Sequence, residues 1–483
     1  MRRFCKTSFP NNRQKCFNLA QFHDIFLRNV LTVPGTDKFK AATTKREEIV
    51  KELAIESKPR QFDYYKTFIV GFGLLGLSII WPIFNQYIPL FLQAGNPQFE
   101  AQLLAEGRPI PDVKGFALSP AIALFIMTWD NIINVFVQPW IGAKSDHTWN
   151  RFGRRKGWIL LGAPIAIVGF ILLPFAQTMF ALAVFILITN IGMAIVRSPL
   201  AAWLGDLYRP EERSKANGII NLMGGIGSII AFLGGGYLFE QFGRHAPFIG
   251  GALLMGVAGL IAVWKVEEPR HIQLDKENPG GVLDNLRVIW RNPDKSSLYI
   301  LLGIFLWFVG FYALEAGLSS FAVFSLGISP GRASIYIGLI AASFILFAVP
   351  AGWLGTKYGA LRAILYGLVG LTLVLALSYF LIQGATSLIV FMSMIGGLWA
   401  SINVNSLPLL YDYGDERRIG AYTGLYYFSS QLAAVVGPTM SGVVVQQFGS
   451  QYRWLFPFSA LFMALAWVIM MRVRPKPKFV PLD

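Results

Sequence analysis

Asp130, Arg197 and Glu315 are ionisable residues set inside stretches of sequence that are otherwise apolar. Asp130 heads a stripe with Asn134 and Gln138 at spacings of four, which an α-helix presents on one side. A carboxylate drawn out of water holds a proton more tightly than one in water, and a group that gains and loses a proton in a buried place is suited to coupling. Glu315 is spaced in the same way from Trp307, Phe311 and Ser319, which would set aromatic surface beside an acceptor, a combination that fits a sugar ring and its hydroxyls. Arg197 follows Asn190 by seven residues and precedes Pro199. Each of these residues also has a purely structural use, as an interhelical hydrogen bond, an ion pair of Arg197 with Asp130 or Glu315, or aromatic packing. Asn85, Gln86, Asn221, Asn403 and Gln431 add uncharged donors that fit either sugar hydroxyls or a neighbouring helix.

The elements that must position these residues follow from composition. The chain has 483 residues, 54% of them hydrophobic and 14% charged, whereas a soluble domain carries about a quarter charged. A bilayer core of ~30 Å needs ~20 apolar residues per helix. Such stretches centre on 67–92, 116–142, 157–175, 178–204, 218–239, 247–265, 297–320, 333–355, 361–383, 386–410, 420–446 and 454–472, numbered spans 1 to 12. An ionisable residue near mid-bilayer costs about 2.5–3.5 kcal/mol on insertion scales and is a functional candidate by default, which ranks the three charges above the amides.

Residues 1–65 form a polar leader whose first 23 residues carry five basic side chains and no acid; it is expected to be a disordered cytoplasmic tail, with organelle targeting the alternative. Residues 66–265 and 297–473 are expected as two six-helix bundles, joined by a cytoplasmic linker at 266–296 with a short amphipathic helix at 282–290, and 474–483 as a tail. Lys and Arg in the loops after spans 2, 4, 8 and 10 and in the tail number sixteen, against five on the other side: Arg108, Lys114, Arg244, Arg332 and Arg453. The bias places both termini in the cytoplasm.

A repeat supports the two-bundle division. Asn217-Gly218 and Gln241-Phe242-Gly243 flank span 5, Thr423-Gly424 and Gln447-Phe448-Gly449 flank span 11, and Arg151-Phe152-Gly153 matches Lys357-Tyr358-Gly359, all at an offset of 206. An even number of spans separates the copies, so they share one orientation. Repeated bundles with a polar seam are the architecture of alternating access. The basic residues do not form the continuous patch that nucleic acid needs. Cys5 and Cys16 both lie in the leader and the His residues lack ligand spacing, so no metal site is expected. Neither a Walker-type loop nor a nucleophile–base arrangement is visible, so an ATP-driven pump or an enzyme is not expected.

After span 2 the chain reads Gln138-Pro139-Trp140-Ile141-Gly142-Ala143-Lys144-Ser145-Asp146, then four residues, then Arg151-Phe152-Gly153-Arg154-Arg155. This resembles the signature loop of the major facilitator superfamily, in the form found in the glycoside-pentoside-hexuronide:cation symporters and the sucrose-type proton symporters. The resemblance implies an all-α membrane protein with twelve transmembrane helices in two six-helix bundles. It also implies that Gly142, Asp146, Gly153, Arg154 and Arg155 form a cytoplasmic gate, with Asp146 against the positive end of a facing helix. Melibiose-type symporters pair Asp residues on span 2 where this chain has Asn134 and Gln138, a departure that favours a proton over sodium as the coupling ion. Sucrose-type symporters carry Arg one helical turn beyond Arg197, where this chain has Ala201.

The resulting expectation is a secondary transporter: proton-coupled symport of a sugar or glycoside, needing no cofactor, by a monomer in the plasma membrane. A proton-coupled exporter of organic solutes and a transporter-like sensor are the rivals. The candidates for coupling or substrate binding are Asp130, Asn134, Gln138, Arg197, Trp307, Glu315, Asn85, Asn403 and Gln431.

Overall fold

The computed structural model describes residues 62–269, 286–287, 294–413 and 419–474. The leader before residue 62, most of the expected linker helix, Arg417, Arg418 and the tail beyond 474 lie outside the described residues.

Among the described residues twelve helices are long and apolar enough to cross a membrane. The first set is Tyr64–Gln93, Pro120–His147, Lys156–Phe175, Met179–Leu207, Lys215–Phe242 and Ala246–Lys265. The second is Ser296–Ser325, Pro330–Tyr358, Ala360–Leu381, Ala385–Tyr413, Tyr422–Gln447 and Tyr452–Met470. Each lies within a few residues of its expected range, and the described residues contain no strand beyond one isolated bridge, Asn150 with Gly153. Proline opens spans 2 and 8, where its missing N–H leaves no bond unmade.

The repeat is written in the backbone. Gly243 and its partner Gly449 have φ of 79° and 74°, and Gly153 and its partner Gly359 have 131° and 97°. These are conformations that favour glycine. Packing repeats as well: span 1 packs on 5 and 6 as span 7 packs on 11 and 12, and span 4 packs on 2 and 3 as span 10 packs on 8 and 9. Each set is therefore the same six-helix unit.

The sets meet through spans 1 and 7, 5 and 8, and 2 and 11. The end of the bundle away from the basic loops is closed by hydrogen bonds between them. Gln93 donates to Ser320 at 3.0 Å and accepts from the Tyr452 hydroxyl. Arg108 donates to the Ser325 carbonyl at 2.5 Å, Ser450 donates to Gln98 at 2.5 Å, and Glu240 accepts from the N–H of Gly331 and Arg332 at 3.0 and 3.2 Å. Gly236 of span 5 and Gly331 of span 8 touch backbone to backbone, and a Cβ on Gly442 of span 11 would meet the Pro120 carbonyl of span 2 at 2.9 Å. Gly442 lies 206 residues after Gly236, so the two crossings are copies of one contact.

Candidate functional site

Spans 1, 5, 7, 8 and 10 enclose a cavity of about 350 Å³ between the sets. Its polar wall is made by Ser78, Asn85, Gln86, Ser228, Glu315 and Asn403, its apolar wall largely by Trp81, Phe232, Phe311, Phe344 and Trp399. The Phe311 and Trp399 rings stack with centroids 3.9 Å apart and planes 5° apart, a flat aromatic platform. Phe308 meets the edge of Trp399 at 5.5 Å and 81°, which fixes it from behind. Asn85 of span 1 and Glu315 of span 7 stand together on this wall, so the carboxyl group lies where the two sets meet.

Span 2 is broken at Met127–Thr128 into Pro120–Ile126 and Trp129–His147, and span 8 is broken likewise between Ile337 and Leu339. Asp130 stands in the first turn after the break, where unpaired backbone N–H groups favour an acidic side chain. Asn131 donates to it at 2.9 Å. The charges of Arg197 and Glu315 both act on Asp130, and Asp130, Arg197 and Glu315 all act on Tyr312, so these groups share one electrostatic neighbourhood. Among the described residues Arg197 is exposed and makes no ion pair within 4.0 Å, so the expected structural pair with Asp130 or Glu315 is not formed.

Of the residues singled out in the sequence, the structure sets Asn85, Gln86, Phe311, Glu315 and Asn403 on the cavity wall and Asp130 and Arg197 in its electrostatic surroundings. Trp307 is a correction: it is fully buried, packed at Gly303 and away from the cavity. At 3.6 residues per turn, eight residues return about 80° away from the starting direction, so Trp307 and Glu315 do not share one face. Asn134 is buried, and neither its carboxamide atoms nor those of Asn190 have a hydrogen-bond partner. Gln138 and Gln431 do not line the cavity, and Asn221 is exposed and bonds to Asn217 along its own helix. Trp81 and Trp399 were not anticipated, although Trp81-Asn85, Phe311-Glu315 and Trp399-Asn403 are aromatic–polar pairs at a common spacing of four.

A second constellation lies at the basic loop after span 2. Arg155 pairs with Asp146 and, at 2.9 Å, with Asp206 at the end of span 4; Arg154 also reaches Asp206, at 2.6 Å. Burial pulls the Arg155 guanidinium pKa down, and Asp206 and Asp146 more than offset it, leaving it above its ordinary value. Asp146 therefore serves its own loop here. Glu268, beyond span 6, accepts from the N–H groups of Arg154, Arg155 and Lys156 at 2.5, 3.0 and 2.9 Å and from Trp203 Nε1 at 2.8 Å. It occupies the space a side chain on Gly153 would need. Gly142 faces Ser198, which a Cβ would meet at 3.0 Å, so spans 2 and 4 approach closely there. Asp206 and Glu268 were not anticipated, since acids at helix ends facing solvent are common in sequence.

A family model described as Major Facilitator Superfamily matches residues 66–345 and 318–482. The chain is similar to the sucrose transport protein SUC3 of Arabidopsis thaliana, 27% identical over 147 residues that cover 26% of this chain and 25% of that protein. It is also similar to the class B tetracycline resistance protein of Escherichia coli, 25% identical over 324 residues that cover 65% of this chain and 76% of that protein. Among solved structures, the nucleoside transporter NupG superposes with a TM-score of 0.64 at 16% identity, over 85% of this chain and all of that one. The last likeness concerns the fold.

Proposed function

The chain belongs to the major facilitator superfamily, and from its secondary-transporter architecture we propose proton-coupled symport of a sugar or glycoside across the plasma membrane, with the basic loops and both termini in the cytoplasm. The observation that carries this reading is Glu315 on the wall of an interset cavity, which it shares with Asn85 and the stacked Phe311–Trp399 platform. Aromatic faces take the apolar C–H side of a pyranose ring, while Asn85, Gln86 and Asn403 bond its hydroxyls. A proton on Glu315 removes a charge from the seam between the sets, which biases how they rock; Asp130 and Arg197 form the adjoining relay. A single chain contains both bundles, so a monomer suffices, and the coupling ion takes the place of a cofactor.

The limited likeness to a sucrose transport protein supports the substrate class. A second reading, proton-driven export of a planar organic solute, draws on the aromatic share of the same wall and on the likeness to a tetracycline resistance protein. The test is uptake of labelled sucrose, maltose and glucose into proteoliposomes with and without an inward proton gradient. Gradient-driven accumulation that vanishes in Glu315→Gln supports symport. No accumulation of any sugar by a sound reconstitution overturns it and promotes export.

A further inference from the structure

A second cavity, about 790 Å³, opens at the end of the bundle away from the basic loops, and none of its walls is shared with the central one. The first set supplies Lys114, Phe175, Glu240, Arg244 and His245, the second Ser329 and Pro330. Its charges are unevenly used. Glu240 is occupied by the N–H groups of Gly331 and Arg332, and Asp112 is exposed at the rim. Arg244 is partly buried over the Phe91 ring, 4.5 Å from its centroid, with one long bond of 3.4 Å to the Lys114 carbonyl. Among the described residues no carboxylate lies within 4.0 Å of Arg244, and its Nε has no partner. Burial lowers its pKa, as expected of an uncompensated cation. Beside it His245 stacks on Phe175 at 4.3 Å and 17°, with Nδ1 also unpartnered.

A partly desolvated guanidinium lacking an anion, next to an imidazole held flat on a phenyl ring and an exposed lysine, has the chemistry of a carboxylate or phosphate receptor. We propose that this cavity is a regulatory site for a small carboxylate- or phosphate-bearing solute, held by Arg244, His245 and Lys114. Ser329 and Pro330 reach the wall only while spans 5 and 8 are joined, so the bound anion stabilises the closed end and slows the transport cycle.

The test uses the full chain in phosphatidylcholine nanodiscs, with benzoate and inorganic phosphate as probes and benzamidine as a cationic control, by isothermal titration calorimetry. Saturable binding of benzoate or phosphate but not benzamidine is expected, weakened roughly tenfold by Arg244→Gln and partly restored by Arg244→Lys. Lys114→Gln, at an exposed position that tolerates change, should weaken it to a lesser degree. A Gln98→Cys/Ser450→Cys pair should cross-link faster with the probe present. Repeating the titration with phosphatidylglycerol in the disc separates the sources. Competition seen in the native chain and not in Arg244→Gln assigns the site to a lipid headgroup, and unchanged affinity assigns it to a soluble anion. Absence of binding by both anions, or native affinity in both Arg244→Gln and Lys114→Gln, overturns the proposal.

Discussion

Gly236 and Gly331 meet where spans 5 and 8 cross, so close that a Cβ on either would overlap the carbonyl oxygen of the other. Gly331→Val should wedge this end apart and shift the population toward the state open there. The measurement is labelling of Ser320→Cys by a membrane-impermeant maleimide, expected to be several-fold faster in the Gly331→Val background. Equal rates would mean that the crossing does not hold the end shut.

Glu315→Gln should separate exchange from driven transport. A permanently neutral carboxamide keeps the size and hydrogen-bonding capacity of the side chain on the cavity wall and loses the ability to release a proton. Counterflow of unlabelled for labelled substrate at equal pH should survive while accumulation against a gradient falls to background. Retained accumulation would move the coupling role to Asp130.

Trp399 and Trp307 should differ in what truncation does to KM. Trp399→Ala removes half of the stacked platform and should raise KM roughly tenfold, together with a stability loss, since its ring is largely buried. Trp307→Ala empties a fully buried site and should cost about 3–5 kcal/mol of stability with KM unchanged. Thermal unfolding beside transport kinetics distinguishes them.

Glu268→Ala removes the acceptor of four N–H groups and unties the basic loop from the end of span 6. A lower Tm and slower turnover with unchanged substrate affinity are expected, because the loop is far from the cavity wall. Gly153→Ala should give the same phenotype by another route, since its φ of 131° disfavours a side chain and the added methyl displaces Glu268.

The fold was legible because apolar runs are set by bilayer thickness and because the 206-residue offset survives at turn glycines, which backbone conformation holds in place. The site was most legible where a charge or an amide stood out within an apolar span. Asp130 and Glu315 stood out against apolar neighbours, and Asn85 followed as an amide in a span. Trp399 did not, because one tryptophan among many apolar residues carries no mark of the face it occupies. Trp307 was drawn onto the wrong face by extending a spacing of four beyond two turns. Glu268 was hidden for a different reason: its partners are backbone N–H groups, which every residue has and no sequence displays.

The paired crossings at Gly236 and Gly442 are copies in position and unequal in chemistry. The first sets glycine on glycine with the Glu240 carboxylate bonded across it, while the second sets glycine on the start of span 2. A door fastened on both sides, with a bolt on one, swings before it lifts. Opening should begin where spans 2 and 11 part, tilting the sets about the 5/8 contact, and the break in span 2, with Asp130 in the turn after it, lies on the side that moves first.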